Sequence, residues 1–274
     1  MSYFDSREEA IGSGEAPAGV VHNQSVLKAV ALIGCFVDSN GGKTLTELAK
    51  RTGMNVSTAY RMLQTLTRTG VLRRNDGEEL YFVGPLLLAL AGSTFSSSGY
   101  GVVLDVLKGI AEETGESASL GIRDTNCVAV LLSVGSPQPL RFEHRAGERL
   151  QIHCSAMGKA LMAFGGAAIA ETVASLGRLH PETPKSIIRS DRLVADLDVT
   201  RQRGYALSNE EQHLGVRSVA MVTRRPGELP RAAISVQGPI GRMSDERIEK
   251  ILEVLASATE LIAQLPILDR LPET

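Results

Sequence analysis

The sequence predicts an α+β chain in two parts: a helical N-terminal unit closed by a β-hairpin, and a larger unit in which helices pack on an antiparallel sheet. Three observations carry this reading. Apolar residues recur at helical spacing as far as residue 70, then give way to two short β-rich runs around a polar turn. Past residue 115 the strand-like runs come in groups instead of alternating strictly with helices, which implies antiparallel pairing. The chain has 274 residues, too many for one ordinary domain and comfortable for two.

Helical spacing of Val26, Val30, Ile33 and Val37 predicts a helix over 25–37, ended by the glycines of "DSNGGK". Thr44 caps the short helix "LTELAKR", with Glu47 three residues on as in a capping box. Gly53 makes a tight turn, and Asn55 or Ser57 caps the next helix, which Gly70 stops. "VLRRNDGEELYFV" then reads as two strands around a turn at 75–77. Helix, helix, turn, helix, hairpin is the order of a winged helix-turn-helix. Residues 85–98 form an apolar, then Ser-rich, linker helix whose leucines need a partner, either the unit's own core or a second subunit.

A helix over 102–114 ends at Gly115, followed by strands over 117–123, 127–134 and 140–144. Helices are expected over 155–164, 167–176 and 191–202, and strands over 205–208, 216–223 and 232–237. The last helix, 245–265, is capped by Ser244 and carries Ile248, Ile251, Leu252, Leu255 and Ile262 on one face.

The helix beginning "NVSTAYRMLQTLTR" has a wet face without a single carboxylate. Short polar and basic side chains suit a DNA groove, whose floor offers donors and acceptors between negative phosphates. A solvated helix in a small helical domain is the competing reading. The DNA-facing candidates are Asn55, Ser57, Thr58, Tyr60, Arg61, Gln64, Thr65 and Arg68, with Thr44 on the preceding helix and Arg73 and Arg74 on the hairpin. Tyr60 fits either the core or the groove. Residues 23–83 carry a net charge of +3 within a chain of net −2, a weak electrostatic footprint for nucleic acid.

"IHCSAMGKALMAF" admits an enzyme reading through Cys154, Ser155 and Lys159. The Ser–Lys spacing is one residue too long for the penicillin-binding pattern, and no orienting acid or oxyanion hole is marked. The stretch reads better as a binding element: a helix start capped by Ser155, with the amides of Ala156, Met157 and Gly158 free for an anion. On the strand "RAAISVQG", Ala233, Ser235 and Gln237 share one small, polar face, which lines a cavity or meets solvent.

Composition narrows the classes. No apolar run approaches the ~20 residues of a membrane span. Residues 1–22 are acidic and rich in small residues, so a disordered tail is expected there and not a secretory signal. Three widely spaced cysteines, Cys35, Cys127 and Cys154, suit a reducing cytoplasm without disulfides. Neither cysteine nor histidine spacing suggests a metal, and no cofactor is expected.

"LTELAKRTGMNVSTAYRMLQTLTRTGVL", "HCSAMGKALMA", "RGYALSNEEQHLGVRSVA" and "AAISVQGPIGRM", in this order, resemble the blocks of IclR-type bacterial transcriptional regulators over about residues 23–268. The resemblance begins after the tail over 1–22 and implies a winged helix-turn-helix over 23–84. A linker helix over 85–99 would then join it to a GAF-like effector domain over 100–270. It further implies double-stranded operator DNA as a partner, a homodimer or a tetramer built as a dimer of dimers, and control of a catabolic operon, here read as repression, through a small metabolite, often an organic acid or an aromatic. Carried over by motif, the effector residues are Ala156, Met157, Ser208, Val216, Ser218, Ser235 and Gln237, with Phe142 as a wall. A sensor that has lost DNA binding is the other alternative to an enzyme.

Overall fold

The computed structural model describes residues 23–37, 41–75 and 77–271; the expected tail over 1–22 lies outside them. The chain divides into two compact units that part between Ser97 and Ser98.

In the first unit, α1 (Gln24–Gly34) is capped by Asn23, whose side chain accepts from the amides of Ser25 and Val26. It stops three residues short of the expected end, in a turn at 35–37. Then follow β1 (Lys43–Thr44), α2 (Leu45–Arg51), α3 (Val56–Arg68), β2 (Leu72–Asn75), β3 (Leu80–Val83) and α4 (Pro85–Ser98). The antiparallel order is β1-β3-β2. Strand β1 was not expected, because two residues carry no periodicity. Thr44 Oγ1 accepts from Glu47 N at 3.2 Å, but the capping box is only half made: the Glu47 carboxylate accepts instead from Lys43 Nζ at 2.9 Å. Gly70 ends α3 at φ +74°, a conformation that costs glycine nothing. Leu32, Leu48, Leu63, Leu66, Leu72 and Tyr81 fill the core; each such burial stabilises by about 1.5–3 kcal/mol.

In the second unit, α5 (Tyr100–Thr114) precedes β4 (Ser117–Asp124), β5 (Cys127–Val134) and β6 (Arg149–Gln151). Helices α6 (Ala156–Phe164), α7 (Ile169–Ser175) and α8 (Ser190–Arg203) follow. Strands β7 (Ala206–Asn209), β8 (Val216–Thr223) and β9 (Ala232–Pro239) and helix α9 (Asp245–Ala263) complete it. The six strands form one antiparallel sheet in the order β6-β5-β4-β9-β8-β7. Strand alternation sorts the two faces. Ala118, Leu120, Ile234 and Val236 pack with α5 and α9, while Val128, Val130, Ala220 and Ala233 pack with α6, α7 and α8.

One expected strand is absent. Residues 140–144 are irregular, and the strand beside β5 is β6 instead. Leu140 is 73% exposed, and its carbonyl accepts from Arg242. Leu150 supplies the buried residue that this edge needs, opposite Val128. Among the described residues no single helix is long and apolar enough to cross a membrane.

Candidate functional site

Helix α3 buries Ala59, Leu63 and Leu66 and turns Ser57, Tyr60, Arg61, Gln64, Thr65 and Arg68 outward along one stripe. Tyr60 therefore belongs to the outer face, at 38% exposed. Asn55, and not Ser57, is the cap: its Oδ1 accepts from Thr58 N at 2.8 Å and from the Ser57 hydroxyl at 3.0 Å. Thr44 holds the start of α2 in the same way. Thr58 is half-buried. Gln64 Nε2 donates to Tyr60 Oη at 2.8 Å, and Thr65 Oγ1 donates to the Arg61 carbonyl at 3.1 Å. On the hairpin, the guanidinium of Arg73 lies 4.4 Å over Phe82, and that of Arg74 lies 5.7 Å over Tyr81. Such stacking holds a cation in place, and Arg74 also lies 3.5 Å from the Glu79 carboxylate. A cleft of about 430 Å³, lined by Gln64, Thr67, Arg68, Arg74 and Tyr81, joins helix to hairpin. No residue of α3 carries a negative charge, so the helix itself offers a polyanion no repulsion; the hairpin beside it exposes Glu78 and Glu79.

The second site is built on the sheet face covered by α6. Register puts Ser208 opposite Ser218, Ser218 opposite Gln237, and Gln237 opposite Ser117. One pleat away, Ser235 stands between Ala220 and Ser119, and Ser119 lies opposite Ser133. Exposure to solvent is excluded: Ser208, Ser218, Ser235 and Gln237 are 3%, 8%, 2% and 0% exposed. A chain of hydrogen bonds runs through the face. Ser235 Oγ donates to Gln237 Oε1 at 2.9 Å, Gln237 Nε2 donates to Ser119 Oγ at 2.8 Å, and Ser119 and Ser133 share a bond of 2.9 Å. The hydroxyls of Ser208 and Ser218 make no side-chain hydrogen bond among the described residues, and neither oxygen is among the fully buried unpaired atoms, so each keeps some accessible surface.

Helix α6 reaches this face at its first turn. A Cβ on Gly121 would stand 3.0 Å from Met157 Sδ, and Gly121 pairs with Ala233, one pleat from Ser235. Gly158 allows the close approach of helix to turn: a Cβ there would lie 2.1 Å from the Ile152 carbonyl oxygen. Ser155 Oγ accepts from Gly158 N at 3.0 Å, so that amide is taken and not free as expected. The amides of Ala156 and Met157 donate to no other group among the described residues. Val216, half-buried, opens β8. Phe142 packs against His213, in the connection between β7 and β8, at 4.8 Å between ring centres, and edge-on against His144 at 5.2 Å.

The residues of the enzyme reading have other roles. Residues 152–154 form a turn. His153 Nε2 lies 3.0 Å from the His180 carbonyl; since a carbonyl can only accept, that nitrogen carries the proton. Burial pushes the Cys154 thiol up to about 11, so it is no thiolate at neutral pH. Lys159 is fully buried, 2.8 Å from Glu211 Oε1 and 3.0 Å from Asp196 Oδ2. Glu211 Oε1 also accepts from Asn209 N, while its Oε2 has no partner among the described residues. Burial raises the Glu211 pKa against the opposing pull of Lys159. Among the described residues no group of three or more His, Cys, Asp or Glu is placed to hold a metal.

Sequence reasoning missed Ser119, Ser133 and the Lys159–Glu211–Asp196 cluster. Ser119 was findable, because "SASLG" puts Ser117 and Ser119 on one strand face, as "AISVQ" does Ser235 and Gln237. The Lys159 partners lie 37 and 52 residues away along the chain, with no local signal.

Family comparisons agree with both units. Residues 25–76 match the IclR helix-turn-helix domain, and residues 101–264 match the bacterial transcriptional regulator IclR C-terminal domain. The chain therefore belongs to the IclR family of bacterial transcriptional regulators, DNA-binding proteins and not enzymes. It is 30% identical over 258 residues to the transcriptional repressor IclR of Escherichia coli K12, covering 93% of each chain. It is 34% identical over 224 residues to the HTH-type transcriptional regulator BhcR of Paracoccus denitrificans, covering 81% of this chain and 80% of that one. The crystal structure of Thermotoga maritima IclR superposes with a TM-score of 0.73 at 26% identity, over 90% of this chain and all of that one.

Proposed function

We propose that this regulator represses a catabolic operon, docking the outer face of α3 on double-stranded operator DNA and releasing it when a small organic acid binds the sheet face under α6. On the DNA side, Ser57, Arg61, Thr65 and Arg68 face base edges and phosphates, and Arg73 and Arg74 flank them from the wing. On the effector side, the Ala156 and Met157 amides hold the carboxylate at the helix start, where the dipole favours negative charge. Ser208, Ser218, Ser235 and Gln237 complete its hydrogen bonds, and Val216 and Phe142 cover its apolar part. The observation that carries this reading is the pair of hydroxyls on Ser208 and Ser218, unpaired and still accessible on otherwise buried residues in line with Gln237.

Repression also needs two half-sites. Helix α4 leaves Leu86, Leu88, Leu90 and Phe95 exposed, an apolar surface suited to a second copy, so the working form is a homodimer, or a tetramer of two dimers. A cytoplasmic location follows from the DNA partner.

The test is an electrophoretic shift with DNA from upstream of the protein's own gene, with and without a panel of short carboxylates. One acid should release the DNA, and Ser235→Ala with Gln237→Ala should lose that response while binding DNA normally. An unaltered response in the double variant would put the effector elsewhere.

A further inference from the structure

On the exposed stripe of α3, the carboxamide of Gln64 is held in place by a neighbouring side chain. Gln64 and Tyr60 lie one helical turn apart on the outer face, both exposed, and Gln64 Nε2 donates to Tyr60 Oη at 2.8 Å. A carboxamide has two N–H donors and an oxygen with two lone pairs. The bond to Tyr60 uses one N–H. The other N–H and Oε1 make no hydrogen bond among the described residues. What Gln64 presents outward is thus a donor and an acceptor side by side, at an angle fixed by the tyrosine.

We infer that Gln64 reads an adenine in the major groove of the operator and that Tyr60 is its positioning residue. This rests on the reading of α3 as the groove-facing helix. Adenine alone offers an N6–H donor next to the N7 acceptor, the complement of the free carboxamide edge. Guanine offers two acceptors there, so Oε1 would meet a like group; thymine offers an acceptor and a methyl. An unrestrained glutamine gives up two or three rotors to make that double contact. Tyr60 has already fixed them, so less is lost on binding. Accepting from Gln64 leaves the Tyr60 hydroxyl proton free, and a phosphate oxygen is the acceptor available beside a groove contact. Arg61 and Arg68 on the same stripe supply attraction for any sequence. Gln64 adds a preference for one base.

The experiment selects binders from a library of random duplexes with the full-length protein and four forms: wild type, Gln64→Glu, Gln64→Ala and Tyr60→Phe. Both positions are exposed, and melting curves confirm folding. Wild type should enrich a motif with adenine at one position of each half-site. Glutamate can only accept, so Gln64→Glu should change that column to cytosine, whose N4–H is a donor. Gln64→Ala should flatten the same column and lower affinity for the wild-type motif about tenfold. Tyr60→Phe should broaden that column and leave the rest of the motif intact. A wild-type motif retained in every column by both Gln64 variants overturns the inference while leaving α3 as the interface. A wild-type protein that enriches no motif overturns the interface itself, and the inference with it.

Discussion

Lys159 shows how a residue that looks chemical in sequence becomes structural in the fold. Its ammonium is fully buried between Glu211 and Asp196, and a buried cation survives only when paired. Lys159→Met should destabilise the protein by about 3–5 kcal/mol in urea unfolding, because it strands two carboxylates. Adding Glu211→Leu should recover part of that loss; no recovery would mean that the cluster is not a coupled unit. His153 carries a pH dependence. Burial lowers its pKa below the ordinary 6.5, so the unfolded chain takes up the proton first. Its contribution is present above pH 6.5 and is lost as pH falls through its lower folded value. Glu211, with its raised pKa, works in the opposite direction, gaining stability as pH falls. The readout is therefore a difference: His153→Asn should show a smaller drop in urea midpoint between pH 7.5 and 5.5 than wild type does. An equal drop would assign the acid sensitivity to other groups.

Helix α6 is the element on which the effector reading depends, and its seating is set by Gly158. Gly158→Ala would drive a methyl into the Ile152 carbonyl, at a cost of about 1–3 kcal/mol. The protein should lose both thermal stability and effector response while α3 stays intact. Normal effector affinity in that variant would detach the site from the start of α6. This element was legible in the sequence because its cap, small residues and apolar run are all local. So were α3 and its acid-free face, and the Ser235–Gln237 alternation on β9. The strand placed over 140–144 failed because Phe142 and His144 alternate like strand residues, while Phe142 packs on His213, which comes from a distant connection. Strand β6 has three residues, too few for a period to show. Long-range partners such as Ser119 to Gln237, 118 residues apart, are decided by sheet order, which no local pattern reports.

At the scale of the whole molecule, repression requires that DNA and effector be felt by one assembly. The exposed leucines of α4 predict self-association: sedimentation at micromolar concentration should give a dimer or tetramer, and Leu88→Glu with Leu90→Glu should shift it towards monomer and weaken operator binding. A wild-type monomer with full operator affinity would contradict the two-half-site account. The effector must bind the DNA-competent and DNA-incompetent states unequally, since equal affinity would shift nothing. The central claim is that the outer face of α3 meets operator DNA, and Arg61 tests it most directly, being exposed, basic and central on that face. The measurement is fluorescence anisotropy of labelled upstream DNA titrated with wild type and Arg61→Ala at fixed salt. The variant should lose about 1–3 kcal/mol of specific binding with an unchanged melting temperature. A folded Arg61→Ala protein that binds the same DNA as tightly as wild type would contradict the claim.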